Sequence, residues 1–386
     1  MTAIVNAKAV LDGFVLEDAV ILLEGDRISA VAPAAALPVP EGAEVIDAKG
    51  LYVGPGLVDI HVHGGNGAMF SDDPGRAAEH FLSHGETSQL ATLYYTLSRE
   101  ELIAAMDGIR RVMTEGAGRA IRGFYMEGPY MNPKYGASPE KNKWRGEIKP
   151  EDYRPLVDAA GKDARVWAVA PEREGIESFV AYAKEVNPAA VIAVGHSEAT
   201  PAQVRALKQY GLTLETHCMN ATGRPPCPAG TRSCGPDEAC LMDRDMYAEL
   251  ICDSQGVHVP PDMIELILTV KGAGRVLLIS DSYFSAEPSP AAFSHVTDLS
   301  FDANGDLSGS RLTLDVACQN LMKHTGCDVV LAFLLASRNP ARAAGLFDEA
   351  GSLTPGKRAD LIFVDEKFNV KAVVFGGELQ KGTKLC

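Results

Sequence analysis

The middle of the chain alternates eight short apolar runs with stretches rich in Ala, Glu, Arg and Lys. A short apolar run followed by a helical stretch is typical of a parallel strand with its crossover helix. Eight such repeats predict an α/β fold in which the strands close into a (β/α)8 TIM-like barrel. The runs cover residues 57–61, 87–93, 123–127, 165–170, 190–195, 213–217, 248–253 and 276–281.

Both ends of the chain have a different, β-rich character. Residues 2–10, 14–24 and 27–31 form short runs separated by turn residues, and residues 360–364 and 370–375 form two more near the other end. Chain termini often lie close together on a domain, so the two ends are expected to pair with each other. The prediction is a small β-sandwich domain made of residues 1–53 and 350–386, with the barrel formed by residues 54–349.

The charge balance restricts the partners of such a protein. Among 386 residues there are 36 Lys and Arg against 51 Asp and Glu, a formal net charge of −15. An acidic chain repels phosphate backbones and anionic lipid, which argues against nucleic acid and membrane surfaces as partners. The apolar runs are too short to cross a bilayer, and the N-terminal residues lack a basic region followed by an apolar core. We therefore expect a cytoplasmic protein that acts on a small molecule.

Five of the eight cysteines fall within residues 218–252. The spacing Cys227-x6-Cys234-x5-Cys240 matches no common structural zinc site, and disulfides are disfavoured in a cytoplasmic protein. The favoured interpretation is a set of reduced thiols in a loop. An additional metal site and a redox pair remain as alternatives.

Polar side chains that bind metals occur where the predicted strands end. In a (β/α)8 barrel the carboxyl ends of the strands meet at one mouth, so side chains placed there converge. Two histidines at i and i+2 on a strand face the same side and can bind one ion together. The residues concerned are His61, His63, Glu127, His196, His217 and Asp281.

These residue types suit metal-dependent hydrolysis. Glu127, His196 and His217 make a three-ligand site with an open position, where a catalytic ion lowers the pKa of water to roughly 7. The two oxygens of Glu127 allow it to bridge to a second ion at His61 and His63. Asp281 can act as general base and then general acid. The predicted reaction is hydrolysis of an amide or ester with a divalent metal as the cofactor, zinc being preferred over iron, cobalt or manganese.

Each residue also has a simpler explanation when taken alone. A single histidine at a strand end is more often a polar cap on the sheet, Asp281 is well placed to cap a helix, and Glu127 precedes a Gly-Pro turn. The joint occurrence of all these residues at five strand ends favours the metal site.

Several motifs extend this pattern over nearly the whole chain. Residues 54–64 read GPGLVDIHVHG, residues 126–130 read MEGPY, residues 194–197 read VGHS and residues 279–282 read ISDS. Together with residues 256–259, 307–313, 339–343 and 351–360, they resemble the N-acetylglucosamine-6-phosphate deacetylase family of the amidohydrolase superfamily. The resemblance implies removal of an N-acetyl group from an amino-sugar phosphate.

The resemblance also implies roles for individual residues. Glu127, His196 and His217 would hold the principal ion, and Asp281 would be the catalytic acid/base. Asn220, Ala221 and His258 would contact the sugar, and Arg224 would bind the phosphate, for which a guanidinium fork is well suited. Members of the family are commonly homodimers in which a loop of one subunit reaches the pocket of the other, and a homodimer is expected here.

Two departures from the family pattern fall in loops. The segment between Ala221 and Arg224 is short and is followed by a cysteine-containing insertion at residues 225–240, and residues 136–138 read Gly-Ala-Ser where many relatives have a histidine. The substrate is therefore less constrained than the chemistry. The alternatives are hydrolysis of another N-acyl or cyclic amide substrate without a phosphate, and a non-catalytic protein that retains the fold for binding.

Overall fold

The computed structural model describes residues 1–380, which form two main sheets and an outer layer of helices. The strands, in chain order, are β1 (Thr2–Val10), β2 (Val15–Glu24), β3 (Arg27–Pro33), β4 (Glu44–Asp47), β5 (Tyr52–Pro55), β6 (Leu57–Val62), β7 (Gly64–Gly65), β8 (Ala68–Met69), β9 (Glu86–Tyr94), β10 (Ile121–Glu127), β11 (Ala164–Val169), β12 (Val191–Val194), β13 (Leu212–Glu215), β14 (Tyr247–Ile251), β15 (Val276–Ile279), β16 (Leu299–Phe301), β17 (Leu307–Ser310), β18 (Leu361–Val364), β19 (Val370–Phe375) and β20 (Glu378–Leu379).

The α-helices lie mainly between the strands of the barrel. They are α1 (Pro74–Ser83), α2 (Arg99–Val112), α3 (Pro150–Ala160), α4 (Ile176–Val186), α5 (Pro201–Ala206), α6 (Pro236–Met242), α7 (Pro261–Lys271), α8 (Leu314–Thr325), α9 (Val329–Phe333) and α10 (Asn339–Ala343). A π-helical turn at Leu334–Arg338 joins the last two helices. Within residues 1–380, no helix is both long enough and apolar enough to cross a membrane.

One of the two eight-stranded sheets is the predicted barrel. Its eight strands follow the order β6-β9-β10-β11-β12-β13-β14-β15, and every hydrogen-bonded pair is parallel. Each strand overlaps one of the eight apolar runs, which confirms the expected α/β barrel. All residues of β6, β14 and β15 are buried, because helices cover one face of a parallel barrel and packed side chains fill the other.

Backbone hydrogen bonds at the mouth join the first strand region to the last. The Asp281 N–H donates to the His61 carbonyl at 2.9 Å, and the N–H groups of His63 and Gly64 donate to the Ser282 carbonyl at 2.9 and 3.0 Å. These bonds form a seam between residues that lie more than 200 positions apart in the chain. The barrel therefore closes where the predicted metal ligands His61 and His63 meet the predicted catalytic residue Asp281.

Local sequence determines where the covering helices begin and which face they bury. Ser98 caps α2 in a reciprocal arrangement, in which its hydroxyl accepts the Glu101 N–H and the Glu101 carboxylate accepts the Ser98 N–H. Leu102, Met106 and Ile109 of α2 are buried, and their spacing places them on one face of the helix.

The other eight-stranded sheet joins the two ends of the chain, as predicted. Its strands follow the order β20-β19-β18-β5-β1-β2-β3, and β4 pairs with another part of β1. The link between the ends is the antiparallel pair β18–β5, in which Ile362 lies opposite Gly54 and Phe363 opposite Val53. Phe363 and Val53 belong to an apolar core separate from that of the barrel. We propose that the chain divides into the two predicted domains, residues 54–349 and residues 1–53 with 350–386. Residues 381–386 lie outside the described part of the chain.

A buried asparagine attaches the last helical segment to the barrel. The Asn339 amide donates to the carbonyls of Ala273 and Val276 at 2.7 and 2.6 Å, and its side chain is fully buried. These bonds join the start of α10 to the start of β15. Without them, two carbonyl groups in a largely buried region lose their donor.

We predict that Asn339→Ala lowers the free energy of unfolding by about 2–4 kcal/mol, because the loss of a buried donor leaves its acceptors unsatisfied. Urea unfolding followed by circular dichroism measures the change. Asn304→Ala is the matched control, since Asn304 is exposed in a turn. Equal stability of the two variants would contradict the role assigned to Asn339.

Candidate metal and catalytic site

Three of the predicted site residues lie just beyond the ends of their strands. His196, His217 and Asp281 follow β12, β13 and β15, and each has a left-handed backbone with φ of 43°, 30° and 45°. The sequence predicted that the strands extend to His217 and Asp281, but they end two residues earlier. Non-glycine residues rarely adopt this conformation, and such strain is concentrated at functional sites. The turned backbone directs these side chains towards the barrel axis.

Glu127, at the end of β10, is surrounded by imidazoles. Its Oε1 lies 2.8 Å from His196 Nε2 and 3.3 Å from His217 Nε2, and those two nitrogens are 3.1 Å apart. All three side chains are almost fully buried, and their ligand atoms lie within 4.8 Å of one another. The structure therefore brings together the three-ligand group that the sequence predicted.

A second group shares Glu127. His61 Nε2 lies 3.8 Å from Glu127 Oε1, and His63 Nε2 lies 3.5 Å from Glu127 Oε2. Asp281 faces the same space, with its Oδ1 at 3.5 Å from His61 Nε2 and 3.1 Å from His63 Nε2. The two oxygens of Glu127 thus face both histidine pairs, which is the arrangement expected of a bridging carboxylate.

The imidazole rings of His61 and His217 each have a hydrogen-bond acceptor on the side that faces away from the centre. This acceptor determines which ring nitrogen faces the site. His61 Nδ1 lies 3.1 Å from Glu249 Oε2, and His217 Nδ1 lies 3.0 Å from the Asn220 carbonyl. Both partners accept hydrogen bonds, so Nδ1 carries the proton and the Nε2 lone pair of a neutral ring points to the centre. His61 Nε2 is fully buried and has no hydrogen-bond partner. Converging lone pairs with protonated outer nitrogens fit a divalent metal ion.

The electrostatic environment also favours positive charge at the centre. Burial opposes ionisation of His61, but the charges of Asp281 and Glu249 raise the pKa of His61 to about 10. Burial would raise the pKa of Glu127, yet the charge and hydrogen bond of His196 hold it well below its usual range. Burial would likewise raise the pKa of Asp281, but the charge of His61 and the hydrogen bond with His63 outweigh burial, and the pKa of Asp281 is lowered. Two ionised carboxylates in this place require a cation nearby.

A cavity of about 320 Å³ opens above these residues. Its size falls in the range of small-molecule sites. The residues that line it belong to the site just described and to five other segments of the chain. They are His63, Tyr94, Tyr95, Thr96, Glu127, Gly136, Ala137, Ser138, Lys141, His196, His217, Asn220, Ala221, Asp281, Tyr283, Leu307, Ser308 and Gly309.

Comparison with known proteins agrees with this geometry. The model of the amidohydrolase family matches residues 52–379. The chain is 31% identical to N-acetylgalactosamine-6-phosphate deacetylase of Escherichia coli, over 92% of this chain and 93% of that protein. It is 28% identical to N-acetylglucosamine-6-phosphate deacetylase of Haemophilus influenzae, over 97% and 98%.

The chain belongs to the amidohydrolase family.

Solved structures show the same similarity. The N-acetylglucosamine-6-phosphate deacetylase of Pasteurella multocida superposes with a TM-score of 0.86 at 27% identity, covering 98% of this chain and 99% of that one. A mutant of the Mycobacterium smegmatis enzyme, solved in complex with N-acetyl-D-glucosamine-6-phosphate, gives a TM-score of 0.82 at 30% identity and covers 98% of each chain. As an amidohydrolase with two buried His/Glu groups, the chain is a metal-dependent hydrolase that uses a divalent ion.

The structure places two of the four predicted substrate-binding residues on the cavity wall and two outside it. Asn220 and Ala221 line the cavity of the amidohydrolase. Arg224 does not; its guanidinium is exposed and pairs with Glu238 Oε1 at 2.8 Å. His258 also lies outside the cavity wall, where its ring contacts Asp253 Oδ2 at 3.0 Å and the Gly309 carbonyl at 3.2 Å. His258 therefore contacts β17, whose residues 307–309 line the cavity, and does not line it itself.

Sequence reasoning missed several residues of the site. Glu249 is buried within β14, and its Oε2 accepts both the His61 ring and the His217 N–H at 3.1 and 3.2 Å. An acidic residue inside an otherwise apolar run was the available indication. Tyr94 and Tyr95, at the end of β9, had a similar indication, because a run that ends at the mouth places its next residues in the cavity. Lys141 lies in a loop where no pattern distinguishes it from its neighbours.

We predict that Glu249→Gln weakens binding of the divalent metal by about 10–100-fold, the usual effect of removing an outer carboxylate from a metal-bound histidine. Titration of the metal-free protein against a chelating indicator measures the affinity. Glu349→Gln is the control, because Glu349 pairs with Arg122 and contacts none of the site residues named above. An unchanged metal affinity in Glu249→Gln would show that the His61–Glu249 contact does not orient the ligand.

Proposed function

We propose that this amidohydrolase removes the N-acetyl group from an N-acetylhexosamine 6-phosphate, releasing acetate and the free amine. The observation that carries the proposal is the position of Asp281 against two histidine groups that share Glu127, at the floor of a cavity suited to a small molecule. Relatives named for deacetylation of N-acetylglucosamine and N-acetylgalactosamine 6-phosphates match over nearly the full chain, which supports this substrate class.

The metal ligands proposed are Glu127, His196 and His217 for one ion and His61, His63 and Glu127 for a second. A divalent ion at this centre would supply an activated water and would polarise the acyl carbonyl. Zinc is the metal that we propose, since imidazole and carboxylate ligands with an open position are typical of its catalytic sites.

Asp281 would move the proton. Its lowered pKa keeps the carboxylate ionised at neutral pH, so it can accept a proton from the attacking water. The new bond joins the water oxygen to the acyl carbon, the C–N bond breaks, and Asp281 returns the proton to the leaving nitrogen. The seam holds Asp281 in place, because its backbone N–H donates to His61 and its carbonyl accepts the Ser310 N–H at 2.8 Å.

Two residues are candidates for the phosphate. Lys141 lines the cavity of its own chain. Arg224 lies outside that cavity on an exposed loop, which suits the homodimer that we propose, in which a loop of one subunit reaches the pocket of the other. Both side chains are cations, and a guanidinium can bind a phosphate through two parallel hydrogen bonds.

A second candidate function keeps the metal chemistry and omits the phosphate. The position of Arg224 outside the cavity favours it, because Lys141 is then the one Lys or Arg side chain on the described cavity wall. In this case the substrate would be another N-acyl or cyclic amide compound. Turnover of N-acetyl hexosamines with and without the 6-phosphate distinguishes the two functions for both sugar epimers.

We predict that Asp281→Asn lowers kcat for acetate release by about 10²–10⁴-fold, because an amide cannot accept the proton. Elemental analysis is expected to show unchanged metal content, since Asp281 belongs to neither three-ligand group. Asp262→Asn on the exposed surface of α7 is the control. Normal turnover by Asp281→Asn would refute the proposed mechanism.

We predict that Lys141→Ala and Arg224→Ala each lower kcat/KM for the phosphorylated sugar by about 10–100-fold, as expected for loss of one charge-assisted hydrogen bond of about 1.5–3 kcal/mol. The sugar without phosphate should be unaffected. Lys143→Ala and Arg232→Ala are the controls. Lys143 pairs with Glu101 and does not line the cavity, and Arg232 pairs with the same Glu238 as Arg224, so its variant reports the effect of losing that ion pair alone. If neither test variant discriminates between the two sugars, the function without a phosphate is favoured.

A further inference from the structure

A second group of potential metal ligands lies outside the barrel, between β13 and α6. It consists of Glu215, Cys218, Asp237 and Cys240, which we call the β13–α6 cluster. One ligand atom from each of Glu215, Cys218 and Asp237 lies within 4.8 Å of the others, and all three residues are buried. The Cys240 thiol is fully buried and interacts with the Glu215 carboxyl.

The cluster faces away from the catalytic mouth. Glu215 is the last residue of β13, and side chains on a strand alternate between its two faces. The next residue, Thr216, contacts the Tyr125 hydroxyl at 2.7 Å inside the barrel. Glu215 therefore points outwards, towards α6.

The spacing of the four residues resembles two half-sites. An acid precedes a cysteine by three positions in Glu215-x2-Cys218 and again in Asp237-x2-Cys240. In the second pair both residues lie on α6, where positions i and i+3 share one face. The spacing of the cysteines alone matches no common site, but the structure pairs two of them with acids.

Glu215 is the observation that points to a ligand. Its side chain is fully buried, and neither carboxyl oxygen has a partner in good hydrogen-bond geometry. The side chains that act on it are Asp237, Cys218 and Cys240, none of which is a cation. A carboxyl group in such a place stays neutral when no cation is near, and it becomes ionised when it coordinates a metal ion.

We propose that the β13–α6 cluster binds a divalent cation of the zinc class, separate from the ions of the amidohydrolase site. Thiolate and carboxylate ligands together suit Zn²⁺, and four protein ligands are typical of a structural zinc site. Glu215, Cys218 and Asp237 supply three of these ligands. Cys240, whose thiol donates to the Tyr247 carbonyl at 3.6 Å, is the candidate for the fourth. Loading the ion releases the thiol protons, so binding becomes weaker at low pH.

The ion would hold in place the loop that carries Asn220 and Ala221 on the cavity wall. Asp237 accepts hydrogen bonds from the Met219 N–H at 2.9 Å and the Thr222 hydroxyl at 2.8 Å, on either side of Asn220 and Ala221. Glu215 precedes His217 by two residues. A cation at the cluster would therefore connect α6 and the cysteine-containing insertion to the backbone that carries His217 and the cavity wall.

Cobalt spectroscopy tests this proposal on the full chain. Thiolate-bound Co²⁺ shows sulfur-to-metal charge-transfer absorption in the near ultraviolet, whereas ions at the His/Glu groups have no sulfur ligand. The exposed thiols of Cys227 and Cys234 are first replaced with serine, so that they cannot bind cobalt. The metal-free protein is then titrated with Co²⁺, with acetate release measured separately. The expected result is the charge-transfer band together with one more ion per chain than the catalytic site binds.

Substitutions in the β13–α6 cluster show whether its thiols produce the charge-transfer band. Cys218→Ser and Cys240→Ser in the same background should lose it and bind one ion fewer, whereas the matched control Cys318→Ser, a buried cysteine on α8, should retain it. Glu215→Gln, which keeps the side-chain size, is the second test if a serine variant fails to fold. The proposal is overturned if the parent protein shows no band, in which case the thiols and a neutral Glu215 pack without an ion. It is also overturned if the band survives all three cluster variants. Neither outcome depends on the proposed deacetylase function.

Discussion

The Glu127 carboxylate is the interaction on which the centre depends. Its two oxygens lie among the Nε2 atoms of four histidines contributed by three different strand ends. A buried carboxylate needs compensating positive charge, which protonated histidines supply to Glu127 in the metal-free site. A bound cation would take over that role once the imidazoles are neutral and turn their lone pairs inwards. The arrangement is therefore built for a cation, and the strands around it are held at the spacing that shared coordination requires. The outer contacts of His61 and His217 orient the rings for the same purpose.

Much of this arrangement could be predicted from the sequence, because it depends on periodicity. Eight apolar runs with polar residues at their ends predict both a barrel and a common mouth, and His61, Glu127 and Asp281 needed no further information. Glu249 could not be assigned, since its function depends on which ring lies beside it across the sheet. The left-handed backbone of His196 and His217 was equally hidden, because local propensity disfavours it and only the closed barrel imposes it.

The residues that sequence reasoning placed less well all lie in loops. Arg224 is paired with Glu238 on an exposed segment, and His258 contacts the Gly309 carbonyl behind the cavity wall. Loop positions depend on insertions and on packing between distant segments, which motifs do not encode. Lys141 illustrates the converse case. Its loop reaches the cavity because the Ser138 hydroxyl donates to Asp302 at 3.1 Å, a contact between residues 164 positions apart. Chemistry built on strand ends is thus easier to infer than specificity built on loops.

The seam between residues 61–64 and 281–282 bears on the order of events during synthesis. Both sides of the seam must have left the ribosome before it can form, so a nascent chain ending before β15 has neither its closing bonds nor Asp281. Contacts between such distant residues carry a large chain-entropy cost and form late. An incomplete chain would expose the open edge of β6, a strand that is buried throughout in the finished protein. Chaperone capture or aggregation of nascent chains is therefore expected to depend on that edge. The edge of β6 should be protected from both only when translation has passed the last strand of the barrel.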